Sequence, residues 1–244
     1  MKVLLLGGNG MLGPHVVRAL EGRCDLRVTD VVPIDTPHES LQVDVADLDQ
    51  VRRAAAGTDA IVNCAVLRHD RRLAFDVNTL GTYNAIRTAA EMGHERFVNT
   101  GPHFTVTGPQ YTQYDFALSE SVPPHASPIL YALTKSLGQE ICRVFTEHYP
   151  IHVLTLLYVR FAAPAPDEEG EGINSFAVTY ADGGRAVRCA LEADLAALPS
   201  RHEIFYILDD LPHGQYSNEK ARRLLGFRPQ DSLERYWRRP RPAG

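Results

Sequence analysis

MKVLLLGGNGMLG, residues Met1 to Gly13, decides the fold. Lys2 to Leu6 is a short apolar run that opens straight into glycines, as a buried strand does when it meets a tight turn. Gly7, Gly10 and Gly13 fall three apart, with Met11 and Leu12 before the last, and a helix-compatible run from Pro14 to Leu20 follows. Strand, glycine-rich turn and helix N-terminus together make an anion site. Without Cβ atoms the backbone can approach a pyrophosphate, whose charge then meets free N–H groups and the positive end of the helix dipole. A second strand, Leu26 to Thr29, ends at Asp30, about 20 residues beyond the turn, the distance at which a carboxylate reaches the adenosine ribose. That carboxylate accepts from ribose hydroxyls and repels a 2′-phosphate. No cation follows it in Val31-Val32-Pro33-Ile34, so NAD is expected rather than NADP.

Working outward, apolar strands and helical stretches alternate. Strands are expected at Leu41 to Val43, Ala60 to Cys64, Arg96 to Thr100, His152 to Tyr158 and Ile204 to Leu208. Helices are expected at Ala46 to Ala56, Leu73 to Met92, Leu130 to His148, Asp182 to Leu195 and Asn218 to Leu225, and Gly101 to Ile129 reads as mostly loop. Alternation of this kind means an α/β fold, a doubly wound parallel (Rossmann) sheet with helices on both faces and ligands outside the carboxyl ends of the strands. Residues 1–160 make the NAD-binding core. Residues 161–244, which include the acidic loop Pro164 to Gly172, form a small substrate-side appendage rather than an independent domain.

Composition narrows the function. With 244 residues and 44% hydrophobic content, one fair-sized domain is expected. A net charge of −5, with positive charges scattered apart from the run Arg238-Arg239-Pro240-Arg241, argues against nucleic acid. Cys24, Cys64, Cys142 and Cys189 are widely separated, as buried thiols of a reducing cytoplasm are, and no metal-ligand spacing is present. The apolar run at Met1 to Leu6 is too short for a secretion signal, and nothing approaches the roughly 18 apolar residues of a membrane span.

Tyr131 and Lys135 stand four residues apart on the expected helix Leu130 to His148, hence on one face. Free tyrosine, with a pKa near 10, is a poor base at neutral pH. An ammonium one turn away and the charge of a nicotinamide favour the phenolate, which could take a proton from an alcohol while hydride leaves for NAD. Lys135 would also hold the nicotinamide ribose. Tyr216 and Lys220 repeat the spacing, but after the seventh strand, where Ser217 or Asn218 looks like a helix cap.

Gly7–Gly13, Asp30, Asp44-Val45, Asn63-Cys64-Ala65, Asn78 in NTLGTYN and the pair Tyr131/Lys135 resemble the extended short-chain dehydrogenase/reductases, the NAD-dependent epimerase/dehydratase family. That resemblance implies that Asp44 accepts from the adenine amino group with the Val45 backbone beside it. It implies that Ala65 and Val66 line the phosphate–ribose section, and that Asn78 orders the network behind the tyrosine; the bland alternative for Asn78 is a helix-interior residue bonded to nearby backbone. It also implies a dimer built on the helices Leu73 to Met92 and Leu130 to His148, with Ile141, Val144 and Phe145 serving either that interface or the sheet. One departure stands out. Where the family carries a Ser/Thr pair just after strand five, this chain reads Asn99-Thr100-Gly101-Pro102-His103-Phe104-Thr105. Thr100 is the first candidate for the missing hydroxyl, with Thr105 and His103 behind it.

In layout the chain is similar to uronate dehydrogenases, which implies Arg160 as a fork for a substrate carboxylate, unless it pairs with Asp167 or Glu168. The expected function is NAD-dependent oxidation of a hydroxyl on a small sugar or sugar acid, with His103, Thr105 and Arg160 towards the substrate. The alternatives are a nucleotide-sugar epimerase or dehydratase that retains its NAD, and an NAD-binding sensor with impaired catalysis.

Overall fold

The computed structural model describes residues 1–107, 118–121, 124–162, 173–212 and 214–237. The chain begins with β1 (Lys2–Leu6), α1 (Gly13–Leu20), β2 (Asp25–Asp30), β3 (Glu39–Gln42), α2 (Leu48–Ala55) and β4 (Ala60–Asn63). It continues through α3 (Arg71–Phe75), a π-helical turn (Asp76–Leu80), α4 (Gly81–Glu91), β5 (Arg96–Pro102), α5 (Phe104–Thr107) and α6 (Leu130–His148). Next come β6 (His152–Tyr158), β7 (Arg160–Ala162), β8 (Ala177–Thr179), α7 (Tyr180–Glu192), β9 (His202–Tyr206) and α8 (Glu219–Leu225).

Seven of the strands form one parallel sheet in the order β3–β2–β1–β4–β5–β6–β9. Period-two alternation explains why both faces are covered. Val3 and Leu5 of β1 join Val16 of α1 and Val187 of α7 in one core, while Leu4 and Leu6 join Val51 of α2 and Ile86 of α4 in the other. A fully buried aliphatic side chain of this kind contributes about 1.5–3 kcal/mol. The strand order reverses between β1 and β4, and that crevice is where doubly wound sheets bind ligands.

Two arginines close helix ends from inside the sheet layer. Arg27 donates to the Ala54 and Ala56 carbonyls at the end of α2, and Arg96 donates to Ala190, Leu191 and Ala193 at the end of α7. At the start of α2, Asp47 accepts from Asp49 and Gln50. Helices α1 and α7 cross in close contact, since a Cβ on Gly184 would lie 2.3 Å from the His15 carbonyl oxygen.

Several boundaries differ from the sequence reading. Leu73 to Met92 is not one α-helix: the π-helical turn interrupts it, and its helical composition gave no warning of the extra residue per turn. Strand β3 begins two residues before the expected Leu41, because its register is set by pairing with Arg27 to Asp30. β9 ends at Tyr206 rather than Leu208 because its ladder with β6 stops at Leu157↔Tyr206. Beyond β6 the chain adds a small parallel pair, β7 with β8, that composition did not reveal. The acidic loop Pro164 to Gly172 and the run Arg238 to Arg241 lie outside the described residues. On α6, Ile141 and Phe145 pack against the second core, whereas Val144 is exposed. No helix among the described residues is long and apolar enough to cross a membrane.

Carboxylates hold the C-terminal segment. Asp182 accepts from the Gln230 and Asp231 backbone N–H groups and pairs with Arg185, and Asp209 accepts from Leu233 N at 2.6 Å. Burial, reinforced by the charges of Asp182 and Asp231, raises the Asp209 carboxyl from 3.8 to about 6. The folded chain therefore keeps this proton through a window, from roughly pH 4 to 6, in which the unfolded chain has lost it. Its contribution is full below that window and is lost as pH rises through it. Thermal unfolding of wild type and Asp209→Asn across this range is expected to show the variant gaining relative to wild type up to about pH 6 and holding level above; a constant difference would contradict the assignment.

Candidate active site

The turn after β1 is built for close approach. Gly7 takes φ +80° and, with Gly8, donates to the Thr29 carbonyl, while a Cβ on Gly7 would lie 2.6 Å from Ala65 N. A Cβ on Gly13 would lie 2.2 Å from the Gly8 carbonyl oxygen, so only glycine lets α1 begin here. Pro14 follows in the first turn of α1, and no side chain caps the helix. The Asp30 carboxylate accepts from Asn9 N at 3.0 Å, which fixes it beside the turn.

A cavity of about 300 Å³ opens on this turn, bordered by Gly7, Gly10, Asp30, Asp44, Val45, Ala65 and Val66 among others. A second, of about 510 Å³, is bordered by Met11, Leu12, Thr100, Tyr131, Lys135 and Arg160, together with Arg68, Phe104, Tyr158 and Phe161. Cys64 and Val66 border both, so the two are halves of one cleft across the carboxyl ends of β1, β4 and β5.

Lys135 is 3% exposed, and its ammonium donates to the Ala65 carbonyl at 2.9 Å and the Thr100 carbonyl at 3.2 Å. Burial, with the nearby Arg68 charge, pushes its pKa down to about 8. Asn78, in the π-helical turn, accepts from Leu67 N and donates to the Leu67 carbonyl and to Thr134 Oγ1. It thereby fastens the loop after β4 to the turn of α6 that carries Tyr131. Helix α6 comes this close because residue 138 is glycine: a Cβ there would lie 2.7 Å from the Asn78 carbonyl oxygen.

Tyr131 borders the cleft, its ring edge-to-face with Phe104 at 5.9 Å between centroids. Burial raises its phenol above the ordinary value, and the nearby Arg68 charge opposes this. The Arg68 guanidinium carbon lies 5.1 Å from the ring centroid. Lys135, the neighbour expected to favour the phenolate, stands one turn along α6 with its ammonium donating to two backbone carbonyls.

The three candidates for the missing hydroxyl part company. Thr100 borders the cleft, but its hydroxyl donates to the Asn63 carbonyl at 2.9 Å. Thr105 does not border it: its hydroxyl donates to the Pro102 carbonyl and accepts from Gln139 Nε2. His103 is wholly buried against Phe104, Phe176 and Tyr216, and burial lowers its pKa to about 3, so it is neutral. The side-chain space at Gly101 is filled by Gln139, whose Nε2 a Cβ would approach to 2.7 Å. Arg160 is exposed at the cleft, and its postulated partners Asp167 and Glu168 lie outside the described residues. Lys220 pairs with Glu203, and Tyr216 sits in the His103 cluster, so that pair does not border the cleft.

Neither Arg68 nor Gln139 was among the residues expected at the site. For Arg68 the available signal was its place just beyond the carboxyl end of a sheet strand. Gln139 could be linked to Gly101 only in three dimensions.

The model of the NAD-dependent epimerase/dehydratase family matches residues 3–187. The chain belongs to that family. Among curated proteins it is 26% identical to the NAD-dependent glucose-6-phosphate dehydrogenase of Haloferax volcanii, over 94% of this chain and 93% of that protein. It is 25% identical to the uronate dehydrogenase of Pseudomonas syringae pv. tomato, over 96% of this chain and 83% of that protein. Among solved structures, a glucuronic acid dehydrogenase from Chromohalobacter salexigens superposes with a TM-score of 0.81 at 21% identity, covering 96% of this chain and 86% of that one. A uronate dehydrogenase from Agrobacterium tumefaciens complexed with NAD gives 0.78 at 21% identity, covering 99% and 91%. The protein is thus an NAD-dependent oxidoreductase of the short-chain dehydrogenase/epimerase type. The residues present fit the cofactor: a cradle that any Cβ at Gly7 or Gly13 would fill, a carboxylate beside it and a two-part cleft.

Because Lys135 titrates near 8, NADH affinity is expected to weaken as pH rises through about 8. In Lys135→Met the affinity should start about tenfold weaker, ~1.4 kcal/mol, and show no such step. Fluorescence titration of NADH against pH checks this, and identical curves for the two proteins would contradict it.

Proposed function

We propose that this enzyme oxidises a hydroxyl of a small anionic sugar, a sugar acid or sugar phosphate, with Tyr131 as general base. The observation that carries the reading is the larger half of the cleft: Tyr131, Lys135 and Arg160 border it together. Its described lining includes the cations Arg68, Lys135 and Arg160 and no carboxylate. Three positive groups around one cavity favour an anionic ligand, and a planar guanidinium at Arg160 can meet a carboxylate or phosphate bidentately. The relatives named for glucose 6-phosphate and for uronates both take anionic sugars, which supports the same substrate class.

When bound, NAD supplies the hydride acceptor; the rest falls to this chain. Asp30 and Asp44 border the adenosine half and would hold the ribose and the adenine, with the Gly7–Gly13 turn on the pyrophosphate. Lys135 orients the nicotinamide ribose and stiffens the cleft floor through its two carbonyl contacts. Asn78 keeps the loop after β4 in register with α6. Tyr131 takes the substrate's hydroxyl proton. The free thiols fit a reducing cytoplasm, and exposed Leu133, Leu137 and Val144 on α6 would serve a dimer contact.

Uronic acids, aldoses, sugar phosphates and nucleotide-sugars screened by NADH absorbance test this directly. Turnover is expected with an anionic monosaccharide, and Tyr131→Phe should lower kcat by about 10²–10⁴-fold with NADH binding intact. No NADH from any compound, alongside tight NAD binding, would overturn the reading. Activity on a nucleotide-sugar without added NAD would replace it with the retained-cofactor epimerase.

A further inference from the structure

We infer that Arg68 donates the hydrogen bond that holds the reacting substrate oxygen, in the place where Thr100 and the Gly101-Pro102 segment offer none. This rests on the proposed oxidation at Tyr131. A general base removing a hydroxyl proton leaves negative charge growing on the substrate oxygen, and a second, fixed donor beside the base is what lowers that barrier. A hydroxyl has a single hydrogen, and that of Thr100 is committed to the Asn63 carbonyl. Gly101 has no side chain, and the space where one would start is taken by Gln139. Pro102 has no N–H. Thr105 and His103 do not border the cleft.

Arg68 borders the same cavity, and its guanidinium carbon lies over the Tyr131 ring, 5.1 Å from the centroid. A guanidinium has five N–H donors, so contact with the phenol leaves others for a neighbouring oxygen. Its side chain is exposed at the cleft, while the backbone before it is held. Leu67, the residue before it, has both backbone groups held by Asn78, and Asn78 is bonded in turn to Thr134 of α6, three residues beyond Tyr131. These bonds tie the loop that carries Arg68 to the helix that carries Tyr131. Among the described residues, the other titratable groups bordering this cavity are Cys64 after β4, Lys135 on α6, Tyr158 at the end of β6 and Arg160 on β7. Of these, Lys135 gives two of its three N–H donors to backbone carbonyls, and the third is the one assigned to the nicotinamide ribose.

In the oxidation the substrate O–H bond breaks and its proton passes to the Tyr131 phenolate. The adjacent C–H bond breaks with its hydrogen and both electrons leaving for the oxidised dinucleotide, and the carbonyl forms. Arg68 keeps its protons throughout. Its N–H group bonds the oxygen most strongly when that oxygen carries the most negative charge, and its cation favours the phenolate that starts the step.

The test uses the full chain as wild type, Arg68→Met and Arg68→Lys, with Tyr131→Phe to isolate the Tyr131 signal. Tyrosinate absorbance without cofactor is titrated first. The Tyr131 midpoint is expected to move up by about one unit in Arg68→Met and by less in Arg68→Lys. An unmoved midpoint overturns the inference. With NADH affinity as control, turnover of the anionic sugar selected by the screen is expected to fall about 100-fold or more in kcat with KM changed little in Arg68→Met, and Arg68→Lys should recover part of it. A rise in KM with kcat retained would make Arg68 a clamp on the substrate's anionic group, and lost NADH affinity would make it a cofactor contact; either overturns the inference. Should wild type turn over none of the sugars, the oxidation itself fails, and the phenol midpoint alone still decides whether Arg68 governs Tyr131.

Discussion

One buried ammonium ties the site together. Lys135 Nζ reaches the carbonyl after β4 and the carbonyl within β5 from the first turns of α6, so three elements that the chain brings together from 35 and 70 residues apart share a single charge. Burying an unpaired ammonium is expensive, and two carbonyl acceptors recover only part of that cost, as the pKa near 8 records. Carbonyls at the ends of parallel strands have no ladder partner beyond them, so the charge satisfies acceptors that would otherwise face the cleft. The lysine is thereby both a structural rivet and the cation of the site.

That rivet works only because backbones come unusually near one another. Gly138 lets α6 lie against the π-helical turn, and the turn lowers Asn78 onto the loop after β4. Gly7 and Gly13 do the same for the first turn of the chain, and Gly184 for the crossing of α1 with α7. At each of these positions a methyl group would meet backbone, which moves only with its whole element. The cleft is therefore a consequence of how closely the elements pack, and the side chains that border it inherit fixed positions.

Much of this was legible in the chain itself, where the signals are local. The apolar run into glycines, the acid ending β2 and the spacing of Tyr131 and Lys135 each depend on neighbours within a few residues, and α6 and β6 begin and end where composition placed them. What could not be read depends on partners far along the chain. β7 and β8 are three residues each and exist only through their pairing. The π-helical turn carries ordinary helical residues. Nothing near Arg68 says that its loop folds back over Tyr131, and nothing near Gly101 says that Gln139 replaces its side chain. Conversely, His103 looked like a site residue by its place after β5, yet its ring completes an aromatic cluster with Phe176 and Tyr216.

The structure of the full chain crystallised with NAD is the most direct measurement of whether the two cavities are one dinucleotide site ending at Tyr131. The expected result has the adenine beside Asp44 and Val45, the ribose on Asp30 and the nicotinamide in the larger cavity, within reach of the Tyr131 oxygen and the Lys135 ammonium. A nicotinamide seated outside the cavity that Tyr131 borders, or an adenosine half away from Asp30, would contradict it.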